Sequence, residues 1–193
     1  MLKEIAAGVV VAAAMLSEPA VAGAWDDGVA AYKRGDYAQA VRFMSVAAEG
    51  GDVAAQYNLG IAYANGTGTE RDYGQSIKWF RRAAEQGAAP AQFNLGVIYQ
   101  RGLGVPQDYA EAARWYLLAA DGDEPHAQLE IGLKLAEGQG IPQDKVAALK
   151  WLILAAINGE ANAVMHRDIV AGDLSPAERQ KADRLAHAWA PRQ

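Results

Sequence analysis

Residues 73–108 read YGQSIKWFRRAAEQGAAPAQFNLGVIYQRGLGVPQD, and similar sequences precede and follow this segment. Residues 37–72 and 109–144 place the same residue types at the same positions, and part of the pattern continues as far as Ala156. A fixed period of this length predicts a solenoid, in which each unit buries its apolar face only against its neighbours. The step of 36 residues is visible at Tyr37, Tyr73 and Tyr109, at Ala48, Ala84 and Ala120, and at Gly60, Gly96 and Gly132.

Each unit is predicted to contain two helices joined by a glycine loop. In residues 53–65, Ala55, Leu59 and Ala62 recur at helical spacing. The first glycine of each Gly-x-Gly pair suits the left-handed residue that ends a helix. The second helix follows an aspartate, with glutamine or glutamate three residues later in three of the four cases, which is the spacing of a capping box. These aspartates are Asp36, Asp72, Asp108 and Asp144.

Residues 1–24 are predicted to be a secretory signal peptide. An apolar run at 5–16 is broken at Pro19, and Ala22-Gly23-Ala24 places small residues where a signal peptidase reads the chain. The run is shorter than the roughly 20 residues that span a bilayer. The alternative is an apolar helix that docks on the array. We therefore expect a periplasmic or secreted protein, cleaved after Ala22 or Ala24.

Residues 25–193 are predicted to form one repeat domain. It divides into an N-terminal hairpin at 25–52, three repeats at 53–88, 89–124 and 125–160, and a degenerate cap at 161–193. The first hairpin has a shorter loop than the others. In the cap, Arg167 and Asp168 replace the Leu-Gly pair, and Ser175-Pro176 begins one last helix, expected to run to about residue 190.

Composition and motifs argue against several classes of function. The net charge of −5 without a basic stripe gives no electrostatic footprint for nucleic acid, and the absence of cysteine excludes thiol chemistry and disulfides. The Gly-x-Gly pairs follow helices and complete no phosphate-binding motif. His126 and Glu130 have no third ligand at a suitable spacing, and His166 lies in the cap without a nucleophile nearby. We predict no cofactor, no metal and no catalytic residue.

The repeated residues carry a family resemblance. The pattern Leu-Gly-x-x-Tyr-x-x-Gly-x-Gly, then aspartate, then Trp-x-x-x-Ala-Ala-x-x-Gly, resembles the Sel-1-like repeat over roughly residues 25–190. It implies an all-α, right-handed α/α superhelical solenoid of about five helical hairpins with a 36-residue period. It also implies an adaptor for protein complexes, and many bacterial members are exported. The residues that carry it are Leu59, Gly60, Tyr63, Gly66, Gly68, Asp72, Trp79, Ala83, Ala84 and Gly87, with their counterparts in the next unit.

An aromatic ladder on the second helices, at Phe43, Trp79, Trp115 and Trp151, repeats with the same step. It could be a stacking platform for sugars. We favour the alternative, in which each ring packs into the joint between hairpins, because large apolar side chains prefer the core.

The first helix of each hairpin carries a second face that could bind a partner. The resemblance implies that this helix lines the concave side, where related solenoids bind peptides. One apolar pair per repeat with polar neighbours suits such a groove. The same side chains could instead pack against the next helix, and both alternatives stay open. The candidate groove residues are Tyr57, Asn58, Ile61, Asn65, Phe93, Asn94, Val97, Arg101, Leu129, Glu130, Leu133 and Glu137.

Together these features predict a non-catalytic exported scaffold that mediates protein–protein interaction through its concave face. The expected partner is an unidentified protein or peptide of the cell envelope, with no nucleic acid and no transmembrane segment after signal cleavage. The alternative is a protein that binds or hydrolyses a cell-envelope polymer, peptidoglycan or polysaccharide.

Overall fold

The computed structural model describes residues 18–189 and residue 191, and all regular structure in this part of the chain is α-helical. The predicted all-α fold of helical hairpins is confirmed. Most of the predicted signal peptide, residues 1–17, lies outside the described residues. The ten helices of the described part are α1 Glu18–Lys33, α2 Tyr37–Glu49, α3 Val53–Asn65, α4 Tyr73–Glu85, α5 Ala89–Arg101, α6 Tyr109–Asp121, α7 Pro125–Glu137, α8 Lys145–Ile157, α9 Ala163–Gly172 and α10 Pro176–His187.

The helices stack in chain order. Helices α1 and α2, α3 and α4, α5 and α6, and α7 and α8 pack as pairs, and each even-numbered helix from α2 to α8 also packs on the odd-numbered helix that follows. The C-terminal end differs, because α9 and α10 both pack against α8. Arg167 and Asp168 stand in α9 where the other units carry Leu-Gly, so α9 lacks the glycine surface on which its partner helix would dock. The last helix also ends at His187, short of residue 190.

Local signals set the helix limits as the sequence predicts. The carboxylates of Asp36, Asp72 and Asp144 each accept a hydrogen bond from the backbone N–H three residues later. The complete reciprocal capping box, however, forms at Ser175 and Glu178. Glu111, at the third position of α6, accepts hydrogen bonds from the guanidinium of Arg114.

The first glycine of each loop ends a helix, whereas the second allows the loop to contact the preceding unit. Gly68 has a φ of +73°, and a Cβ at this position would collide with the Tyr37 carbonyl of the preceding unit. The loop between α3 and α4 therefore touches the start of α2, and the missing side chain permits this contact. The Gly-x-Gly pairs serve turns and contacts between units, which supports the interpretation against a phosphate site.

The tryptophan ladder is buried. Trp79, Trp115 and Trp151 are between 4% and 6% exposed, which confirms for these three the prediction that they pack between hairpins. Phe43, the first member of the predicted ladder, is half-buried. A basic side chain of the same helix lies over each ring: Arg82 and Lys78 over Trp79, Arg114 over Trp115 and Lys150 over Trp151. Such contacts stabilise the outer surface of the stack.

Candidate functional site

A first cleft lies between the N-terminal hairpin and α3. Its volume is about 100 Å³. Its walls combine aromatic and apolar side chains with the amide side chains of two asparagines. The principal residues are Tyr32, Tyr37 and Met44 from the hairpin, and Asn58, Ile61 and Asn65 from α3.

A second cleft lies between α3 and α5 and reaches the start of α7. Its volume is about 400 Å³. Because Ile61 lines both clefts, the two adjoin along α3. The remaining lining residues are Tyr57 from α3, Pro90, Phe93 and Asn94 from α5, and Glu124 and His126 at the start of α7.

The structure brings half of the predicted groove residues together. Tyr57, Asn58, Ile61, Asn65, Phe93 and Asn94 line the two clefts. Val97, Arg101, Leu129, Glu130, Leu133 and Glu137 line neither of them. Leu129 is 9% exposed and belongs to the core around α7 and α8, and Val97 and Leu133 pack against that core. Arg101 and Glu137 are exposed, and Glu130 is half-buried.

The second helices hold the cleft rings in place. The Tyr57 ring lies 5.8 Å from the Phe80 ring, and the Phe93 ring lies 5.7 Å from the Tyr116 ring, centroid to centroid. Such tilted pairs are favoured over face-to-face stacking. The rings thus lie on a supporting aromatic layer, which limits their freedom to turn out of the cleft.

Two asparagines at the cleft edges are ordered by their own helices. Asn58 Nδ2 donates to the Ala54 carbonyl, and Asn94 Nδ2 donates to the Pro90 carbonyl, both at 2.8 Å. The second N–H and the carbonyl oxygen of each amide are suited to a peptide backbone, because an amide offers two donors and one acceptor.

Sequence reasoning missed several cleft residues, among them two tyrosines and two ionisable side chains. Tyr32 and Tyr37 form an edge-on pair 5.0 Å apart, and the shortened first loop brings them together. Both are exposed, at 53% and 43%. Glu124 and His126 lie at the start of α7, whereas Phe93 lies on α5. The shortened first loop is visible in the sequence and could have indicated the tyrosine pair. The sequence carries no such signal for Glu124 and His126, because only the packing of the helices places them beside Phe93.

The titratable groups with shifted pKa values in the described residues lie outside the two clefts. No cluster of three or more histidine, aspartate or glutamate side chains in this part could hold a metal. Hydrogen bonding from Arg114 lowers the pKa of Glu111, burial raises the pKa of Tyr116 above its usual range, and burial lowers the pKa of Lys150. None of these three groups lines either cleft.

No helix within the described residues is long and apolar enough to span a bilayer.

Comparison with known proteins identifies the family. A model of the Sel1 repeat matches residues 22–52, 53–87, 89–124 and 125–160. A Sel1 repeat protein from Oxalobacter formigenes is 33% identical, with a TM-score of 0.72 over 75% of this chain and 60% of that one. A protective antigen of uropathogenic Escherichia coli that displays an SLR fold is 25% identical, with a TM-score of 0.58 over 88% of this chain and 45% of that one. The chain thus spans less than two thirds of either relative, and no curated protein matches it. Four repeat matches cover most of the sequence, and the chain belongs to the Sel1 repeat family.

Proposed function

We propose that this chain is an exported, non-catalytic scaffold that binds a protein partner through the two adjoining clefts. Sel1 repeat proteins are generally scaffolds for protein–protein interaction. The observation that carries the proposal is the continuity of the clefts, in which Ile61 connects the tyrosine pair Tyr32 and Tyr37 to Phe93.

The form of the clefts favours an extended peptide. Concave spaces lined by apolar and aromatic side chains with a few polar groups are typical of binding sites. Two such spaces in a row can take successive anchor side chains of one segment. Asn58 and Asn94 stand at the edges, where their amides can bind the peptide backbone.

Export is part of this proposal and rests on residues 1–24, which have the layout of a signal peptide. The envelope-polymer alternative depends on exposed rings that could stack on sugars. Trp79, Trp115 and Trp151 are buried, so these three rings of the ladder offer that alternative no platform.

The test is capture of a partner from a cell-envelope fraction of the source organism by residues 25–193. The cleft variant is Tyr57→Leu with Phe93→Leu, because Leu129 occupies the equivalent position in the next repeat and shows that the fold accepts leucine there. Leu185→Ser, on the exposed surface of α10, is the control. A protein retained by wild type and control but lost by a folded cleft variant supports the proposal. Equal retention by all three contradicts it.

A further inference from the structure

We propose that the second cleft binds a positively charged side chain, a lysine or arginine, of the protein partner. This inference rests on the proposed function, because it names the partner chemistry for one of the same clefts. It follows from the charges and rings that line this cleft.

The charge at the cleft is negative. Neither cleft is lined by a lysine or an arginine, and Glu124 is one of the residues that line the second. His126 Nδ1 lies 2.9 Å from Glu124 Oε1, and His126 Nε2 lies 3.5 Å from Glu160 Oε2. Two carboxylates therefore face one imidazole. Whether the ring carries one proton or two, the three groups together keep a negative charge.

Partial burial strengthens this charge. The side chains of Glu124 and Glu160 are 17% and 13% exposed. Charges that are largely removed from water interact more strongly with a partner charge, because the effective dielectric constant falls. Arg101 stands at the far end of α5, two turns beyond Phe93, and does not line the cleft.

Aromatic rings complete a site for a cation. Tyr57 and Phe93 line the same space as Glu124. The Phe93 ring is held between Tyr116 and His126, with centroids 5.7 Å from each. A cation near aromatic rings gains from their quadrupole, most of all where water is excluded. Lysine and arginine also have apolar stems, which can lie along Ile61 while the charged end reaches Glu124.

The first cleft provides an internal contrast. Its lining contains Met44, Ile61 and the tyrosine pair but no carboxylate. The two clefts together therefore fit a segment with an apolar anchor followed by a basic one.

The preference of the second cleft for a basic side chain can be measured with four pentapeptides of sequence Ala-Leu-X-Leu-Ala. Each is N-acetylated and C-amidated, and X is arginine, lysine, norleucine or glutamate. Each is titrated into ¹⁵N-labelled protein, and amide chemical shifts are followed by NMR. The arginine and lysine peptides should move the amides of Phe93 and Asn94 and bind about fivefold more tightly than the norleucine peptide. The glutamate peptide should bind most weakly.

Variants assign the effect to the proposed groups. Glu124→Gln should reduce the preference for arginine over norleucine, and Phe93→Leu should do the same while apolar binding persists. Glu70→Gln, on an exposed loop between α3 and α4, should leave the preference unchanged. Circular dichroism checks that each variant is folded.

The outcomes separate this inference from the proposed function. If the norleucine peptide moves Phe93 and Asn94 equally and as tightly, or if Glu124→Gln keeps the full preference, the cationic site is wrong and the clefts remain binding sites. If no peptide moves these amides at millimolar concentration, the cationic site is wrong and the proposed clefts lose their support as well.

Discussion

Gly96 on α5 faces the ring of Tyr116 on α6 so closely that a Cβ at Gly96 would lie 2.5 Å from Cε1 of Tyr116. The same relationship joins Gly60 to Phe80 and Gly132 to Leu152. The absent side chain lets the two helices of a hairpin approach each other and leaves Tyr116 only 1% exposed. The glycine of the Leu-Gly pair is therefore a contact surface between helices.

Gly96→Ala should destabilise the protein by about 1–3 kcal/mol, because the added methyl group forces the Tyr116 ring or the helices to move. The measurement is urea unfolding followed by circular dichroism. Gly172→Ala is the control, since a Cβ there meets nothing within 4 Å. An unchanged midpoint for Gly96→Ala would show that the hairpin accepts the methyl group without strain.

Gln56→Leu should lower the free energy of unfolding by about 1–2 kcal/mol through the loss of buried hydrogen bonds. Gln56 is 3% exposed; its Nε2 donates to the Ala48 carbonyl at 3.1 Å, and its Oε1 accepts from Gln86 Nε2 at 2.8 Å. The first bond joins Gln56 to the preceding hairpin, and the second joins it to the end of α4 in its own hairpin. Gln180→Leu, on the exposed face of α10, should change the same urea midpoint little. Equal effects of the two substitutions would contradict a specific role for Gln56.

Tyr116 should make the protein less stable at alkaline pH. Burial raises the pKa of Tyr116 in the folded state, whereas an unfolded tyrosine ionises near pH ~10. Above that pH the unfolded state loses the proton and the folded state keeps it, so stability falls as pH rises, by up to about 1.4 kcal/mol per unit. Below it the group contributes no slope.

Tyr116→Phe tests this pH dependence, and Phe80 at the equivalent position shows that the repeat accepts phenylalanine. Urea unfolding at pH 8.5 and pH 11 should show a smaller loss of stability for the variant than for wild type. Parallel losses in the two proteins would place the alkaline transition elsewhere.

The tryptophan ladder should emit at short wavelength and resist quenching. In a Trp25→Phe, Trp189→Phe variant, the remaining rings are Trp79, Trp115 and Trp151, each at most 6% exposed. Acrylamide should quench this emission far less than that of the urea-unfolded protein. Quenching at the unfolded rate would mean that the rings are open to solvent and would revive the sugar-platform alternative.

Expression of the full chain with a bacterial secretion system should yield a processed periplasmic protein. Intact mass will show whether the mature chain begins at Gly23 or Trp25. Ala24 is 3% exposed and packs in the core with Met44, so cleavage after Ala22 keeps a core residue that cleavage after Ala24 removes. An unprocessed cytoplasmic product would contradict the proposed export.

The sequence by itself determined the repeat, most of the helix limits and the burial of the three tryptophans. These depend on local chemistry: the carboxylate of Asp72 caps the helix that it precedes, and Gly66 adopts the left-handed conformation that ends α3. The periodicity of Trp79, Trp115 and Trp151 predicted that these rings are buried between hairpins, because every unit packs on its neighbour in the same way.

Only the tertiary structure decided which part of the predicted groove is open. Tyr57 and Leu129 occupy equivalent positions, yet Tyr57 lines a cleft and Leu129 lies in the core. The period cannot separate them, because exposure depends on the size of the side chains that the next unit stacks on each position. The same stacking brings Glu124 and His126, at the start of α7, to Phe93 on α5, so the charge of the cleft exists only once the helices have packed.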